Sequence, residues 1–147
     1  MFPCTVLASD TDYWIKIRDK EALMTNNKTI SEPERPPKGS LEELYQDVFM
    51  TMLLTYIDKA VDNYYEKNLG YSPGVAPWQT EVLSIERPNG YRTFLFIVKL
   101  EVKPYLGAHN SIGVDHITIK VSSGEVKVEK FEHIKDYPIP PWLQHLE

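Results

Sequence analysis

Three short connections in the second half of the chain fix which residues can share one face of a sheet. Four runs rich in β-branched and aromatic residues follow one another there, roughly 78–87, 91–105, 113–121 and 125–135. Asn89-Gly90 is a favoured two-residue hairpin turn, and closing at it sets Arg87 opposite Arg92, Ile85 opposite Phe94 and Leu83 opposite Phe96. Taking 107–112 as the next loop sets Val102 opposite Ile117, Leu100 opposite Ile119 and Val98 opposite Val121. Ser123-Gly124 as the third turn sets Val121 opposite Val126 and Ile119 opposite Val128. A slip of one residue turns every side chain of a strand to the other face. All three connections nevertheless collect one apolar face: Leu83, Ile85, Phe94, Phe96, Val98, Leu100, Val102, Ile117, Ile119, Val121, Val126 and Val128.

The cover for that face precedes it. Ser40-Leu41-Glu42-Glu43 is a capping box, in which the serine caps an exposed backbone N–H and Glu43 reaches back. It predicts a helix from Leu41 to a C-terminal cap at Gly70. Apolar residues recur in pairs every fourth position from Leu41 through Leu44, Tyr45, Val48, Phe49, Met52, Leu53, Tyr56, Ile57, Ala60 and Val61 to Tyr64 and Tyr65. A helix turns once per 3.6 residues, so this stripe drifts about 40° per step. A drifting stripe suits a helix lying across a strongly twisted sheet better than a coiled-coil seam, which needs a period near 3.5. The expected fold is α+β: one long helix packed on a four-stranded antiparallel meander, order 1-2-3-4.

At 147 residues, 42% hydrophobic and 25% charged, the chain is long enough for one domain with a real core. Its net charge of −5 argues against nucleic acid as a partner, and against an anionic membrane surface bound by charge alone. No apolar run approaches the length of a transmembrane segment. The single cysteine, Cys4, allows neither an intramolecular disulfide nor a thiolate metal cluster. The start, "MFPCTVLASD", reads as the end of an export signal over residues 1–8 with a Val-Leu-Ala cleavage pattern, an ordinary frayed terminus being the alternative. An extracytoplasmic or secreted location follows from the first reading. Residues 1–39 form an N-terminal extension ending in the proline-rich linker "SEPERPPKG", and "DYWIKI" within it has the residues of a short strand. Asn27-Lys28-Thr29 matches a glycosylation acceptor. The helix-plus-sheet domain spans 40–137, and 138–147 is an extended C-terminal strap.

The outer face of the sheet is mostly polar, with Lys99, Glu101, Lys103, Thr118, Lys120 and Lys127. Val82, Leu95 and Ile97 interrupt it as an apolar patch, which a soluble monomer would cover. Three covers are available: "DYWIKI", the C-terminal "IPPWL", or a second copy in a homodimer through the outer face.

The stretches "LEELYQDVFMTMLLTYIDKAVDNYY", "VLSIERPNGYRTFLFIVKLEVKPYLGAHN", "DHITIKV" and "VKVEKFEHIK" resemble a family of small bacterial proteins known only as a domain of unknown function. The resemblance covers roughly 38–137 and implies export, but no activity or site. A helix followed by a four-stranded meander is also similar in architecture to the cystatin fold. Cystatins block cysteine proteases with a Gln-x-Val-x-Gly loop in the first hairpin after the helix. Here that hairpin reads Arg87-Pro88-Asn89-Gly90-Tyr91, so protease inhibition by that route is not implied.

Chemistry-bearing residues are few. The histidines are His109, His116, His133 and His145. The register puts Asp115 on the core face and His116 on the outer face. Strand four breaks its alternation after Val128, and one bulged residue near Glu129 or Lys130 returns Phe131 inward and sets His133 opposite Asp115. A histidine oriented by a carboxylate is half of an acid–base or metal site. His109, in the adjoining loop, is the candidate third member. The favoured reading of Asp115 and His133 is structural, a pair closing the open end of the sheet. The spacing lacks HExxH or HxH, so neither metal nor cofactor is expected. No Gly-rich phosphate loop and no Gly-x-Ser-x-Gly occurs. Asp58 and Asp62 read as a solvated helix face; Tyr56, Tyr64 and Tyr65 read as core or rim. The expected function is therefore a non-catalytic binding or protein-interaction module with an unknown partner. The alternative is a small-molecule binder or acid–base enzyme using Asp115, His133, His109 and a helix tyrosine.

Overall fold

Ser40 starts the helix as its sequence demands. Its hydroxyl accepts from the Glu43 backbone N–H, and the Glu43 carboxylate accepts from the Gly39 N–H. The result is α1, Leu41–Leu69, closed by Gly70, whose positive φ of 75° suits a residue without Cβ and whose N–H bonds the carbonyls of Tyr65 and Glu66. The structure, a computed structural model, describes residues 35–146. Cys4, the apolar start, "DYWIKI", the Asn27 tripeptide and Glu147 lie outside the described residues.

After a 3-10 turn at Pro77–Gln79 come β1 (Thr80–Glu86), β2 (Leu95–Val102), the short β3 (Tyr105–Leu106) and β4 (Asn110–Ser111), β5 (Gly113–Ser122) and β6 (Val126–Asp136). The main sheet is antiparallel in the order β1-β2-β5-β6, and β3 pairs with β4 as a separate ribbon. Among the described residues, one α-helix on a four-stranded antiparallel sheet is the α+β arrangement expected.

The registers agree unequally with the turn arithmetic. β5 and β6 pair as predicted, Val121 with Val126 and Ile119 with Val128, and one residue, Glu129, is bulged out before Thr118 meets Lys130. β2 and β5 keep the predicted faces but slide by two positions, so that Leu100 meets Ile117 and Val102 meets Asp115. The slide arises because 103–112 is not a plain loop and contains the β3–β4 ribbon.

The first hairpin differs more. Ile85 pairs with Val98 and Val82 with Leu100, with an irregularity between Val82 and Ser84. Asn89-Gly90 does not close a two-residue turn, and Pro88 is the reason. A two-residue closure would need a backbone N–H at position 88, which proline lacks. Its fixed φ suits instead the second position of the turn Arg87–Gly90, closed by the Gly90 N–H on the Arg87 carbonyl. A second turn follows, with Thr93 bonded to Gly90 through both its N–H and its hydroxyl. Phe94, expected in the core, is therefore 69% exposed in the connection. Val82, expected on the outer patch, packs against the core, and the patch shrinks to half-buried Leu95 and Ile97.

The strap is corrected too. Pro141–Leu146 is a 3-10 helix and does not continue the extended chain. Leu143 lies beside Gly107 of the β3–β4 turn and Ile139 packs on the core, while Trp142 is exposed.

The core joins Met50, Leu53, Ile57, Val61 and Tyr65 of α1 to Val98, Leu100, Val102, Ile112, Ile117 and Ile119. The helix stripe does not all pack there. Leu41, Leu44, Tyr45, Val48 and Met52 are exposed, Met52 at 71%. The drift explains it. About 40° per step, accumulated over six steps from Leu41 to Tyr65, winds the stripe through roughly 240°. Once its second half faces the sheet, its first half must face away. The same geometry buries Met50, which is outside the stripe but above Leu53 and Ile57.

Candidate functional site

The bulge at Glu129 has the consequence read from the alternation: Asp115 and His133 become direct cross-strand partners. The His133 Nδ1 lies 2.7 Å from the Asp115 Oδ1. From the helix, the Tyr65 hydroxyl donates to the other carboxylate oxygen at 3.2 Å. The second imidazole nitrogen, Nε2, lies 3.0 Å from the Oδ1 of Asp136. A second irregularity, between the Asp115–His133 and Val114–Lys135 pairs, leaves Ile134 without a cross-strand partner and precedes Asp136. The rings of Phe131, Tyr64 and His133 stack in series, at 4.9 Å and then 5.2 Å between centroids.

Gly113 makes room for this cluster. A Cβ there would fall 2.7 Å from the Lys135 carbonyl oxygen, 3.0 Å from the Tyr65 hydroxyl and 3.3 Å from His133. The nearest of these is the backbone of the paired strand, which cannot swing aside. Gly113→Ala should therefore cost about 1–3 kcal/mol as an overpacked site, read from urea midpoints. Gly74 offers a contrast, since the nearest atoms to its Cβ would be those at the outer end of the Tyr105 ring. Gly74→Ala should cost less; the reverse order would sink the assignment of Gly113 to packing around the pair.

Asp115 is 0% exposed. Burial raises its pKa, and the hydrogen bonds and charge of His133 with the Tyr65 hydroxyl only partly offset this. Burial and the adjacent Asp115 push the Tyr65 phenol far upward, and Tyr64 shifts the same way, so neither tyrosine is a ready phenolate. The sign for stability follows from linkage. A carboxyl raised in the folded state contributes stability that is full below its ordinary value of 3.8 and is lost as pH rises through the folded value. Asp115→Asn has no such step. The stability of the wild type relative to Asp115→Asn should fall as pH climbs from about 4. A difference that grows with pH would mean that the partners outweigh burial.

His109 is not the third partner. It sits at a positive φ of 62° in the β3–β4 turn, and its ring contacts are with Trp78 and Tyr105. His116 faces outward as expected, 3.3 Å from Glu101, which Lys103 also meets at 3.2 Å. Burial alone would raise the Glu101 pKa, but Lys103 and His116 together hold it below the usual range. Asp58 is raised by partial burial and by Asp62. Asp136 was not legible as a partner, because nothing in the polar end of β6 signals a second irregularity.

The arrangement leaves little open for chemistry. Both oxygens of Asp115 and Nδ1 of His133 are committed, and only exposed Asp136 could swing off Nε2. No group of three or more metal-ligating side chains occurs among the described residues. A shallow groove of about 440 Å³ separates Tyr56, Ala60 and Asn63 of α1 from Val126, Val128 and Phe131 of β6, and neither Asp115 nor His133 lines it. Among the described residues no helix is long and apolar enough to cross a membrane.

Residues 45–135 match a family described as "Protein of unknown function (DUF3888)". No curated protein matches the chain. No solved structure matches it either, and the resemblance to cystatins is not confirmed.

Proposed function

We propose that this chain, which belongs to the DUF3888 family of proteins of unknown function, is a non-catalytic protein-interaction module that docks through the first half of α1. One observation carries the reading: Leu44, Tyr45, Val48 and Met52 form an exposed apolar row on the side of the helix turned from the core residues. Soluble monomers seldom leave such contiguous apolar surface without a role. The row replaces the Val82, Leu95 and Ile97 patch, which loses Val82 to the core. Placement outside the cytoplasm belongs to the same reading, and its support is the Val6-Leu7-Ala8 stretch and the resemblance to exported bacterial proteins.

Asp115 and His133 act in this reading as the clasp between helix and sheet. The competing reading, a small-molecule binder or acid–base enzyme at that pair, is tested by thermal shift against divalent metals and small polar metabolites. Anything that binds the folded state raises its melting temperature. The module reading expects no rise that depends on His133. A rise lost in His133→Gln, but kept in Val48→Ser, would overturn it.

A further inference from the structure

We propose that Asp115, His133 and Asp136 form a proton-controlled latch on the C-terminal strap, closed while the His133 ring carries two protons and open when it carries one. The latch is independent of the docking reading and goes beyond it.

A proton count on the ring leads there. Nδ1 of His133 lies 2.7 Å from an oxygen of Asp115, and Nε2 lies 3.0 Å from an oxygen of Asp136. Each contact is a hydrogen bond only if it holds a proton, and a neutral imidazole has a single N–H. With the ring neutral and both carboxylates ionised, one contact would set a nitrogen lone pair against an anion. The imidazolium donates from both nitrogens and satisfies both. Histidine is ordinarily a stronger base than aspartate, so the second proton belongs on the ring. The other titratable groups around it do not take part. Tyr65 gives its proton to the second oxygen of Asp115, and burial keeps both Tyr65 and Tyr64 in the neutral form. Lys135 holds its ammonium 4.9 Å over the Tyr137 ring.

Burial decides which contact is lost with the second proton. Asp115 is fully buried and cannot turn to water, so a bare Nδ1 would strand its carboxylate. The Asp136 side chain is 81% exposed and loses little by turning away. The remaining proton therefore stays on Nδ1, Nε2 becomes a lone pair, and Asp136 swings into solvent. Asp136 stands at the root of the strap. It ends β6, pairs with Gly113, and reaches back to His133 past the irregularity that leaves Ile134 unpaired. Just beyond it, the Tyr137 N–H bonds the Ile112 carbonyl at 2.8 Å and Ile139 packs on the core. With the latch open these contacts hold the strap without it, so the root loosens as pH rises.

The test is NMR of the isotope-labelled full chain from about pH 5 to 9, a span that contains the ordinary histidine range. Signals missing from His133→Gln identify the ring. Both ring nitrogens should be protonated at the acid end, and Nε2 alone should lose its proton at the alkaline end. Protection of the Tyr137 N–H from exchange should fall in step by about two- to fivefold, the worth of an exposed ion pair. Asp136→Asn separates the latch from general loosening with pH. Its amide can accept from an Nε2–H or donate to a bare Nε2, so Tyr137 protection should no longer follow the ring. A ring that keeps both protons throughout, never holds two, or loses the Nδ1 proton first overturns the proposal. So does Tyr137 protection that ignores the ring in the wild type, or that follows it equally in Asp136→Asn.

Discussion

His133→Leu should destabilise the protein by about 1–3 kcal/mol or more, the usual cost of leaving a buried polar group without its hydrogen-bond partner. The cause is what the substitution strands. Asp115 is fully buried on the core face, and its Oδ1 has His133 as its hydrogen-bond partner at 2.7 Å. Leucine fills much of the ring's space beside Tyr64 but leaves that oxygen unpaired. Asp115 can escape by taking up a proton, toward which burial already biases it, so the loss should shrink in acid. Replacing the whole cluster is expected to cost far less than breaking it. In Asp115→Val with His133→Leu and Tyr65→Phe, no polar group is left without a partner, and most of the stability should return. Urea midpoints of the single and triple variants check this. A triple variant as unstable as His133→Leu would show that the loss comes from packing and not from a stranded carboxylate.

Ile57→Ala should cost about 2–5 kcal/mol, whereas Val48→Ala should stay within about 0.5 kcal/mol. Both residues belong to the apolar stripe of one helix, and pattern alone does not separate them. Ile57 is 0% exposed between helix and sheet, so truncation leaves a cavity whose lining loses its contacts. Val48 is 53% exposed and faces away from the core. Melting of dilute protein, where association adds nothing, checks the contrast. A comparable loss at both positions would mean that the row is buried by another part of the chain.

The parts of this fold that were legible had a redundant signal. Val126 and Val128 in phase with Phe131 out of phase leave one solution, a single bulge, and that bulge alone sets His133 opposite Asp115. Ser40, Glu43 and Gly70 mark the helix ends by the capping chemistry that helix termini favour. The first hairpin was misread because Asn-Gly is a strong turn signal and Pro88, which overrides it, acts through a missing N–H and not through any pattern. Val82 changed sides for a different reason, the irregularity between Val82 and Ser84, which takes Leu83 out of the pairing and reverses the faces of β1 ahead of it. The stripe on α1 was visible, but how much of it a sheet can cover depends on accumulated drift, a three-dimensional quantity. Asp136 and Gly113 carry no sequence mark at all. One becomes a partner through a second irregularity in β6, the other through closeness to the Lys135 carbonyl.

Hydroxyl-radical footprinting of the full chain tests the central claim most directly, because Tyr45 and Met52 are both reactive and both on the row. In dilute, monomeric protein they should be modified at the rates of solvent-exposed side chains, while buried Met50 and Tyr65 are spared. Protection of Tyr45 and Met52 that appears only when a second molecule binds is the predicted result; protection already complete in the isolated monomer would contradict it.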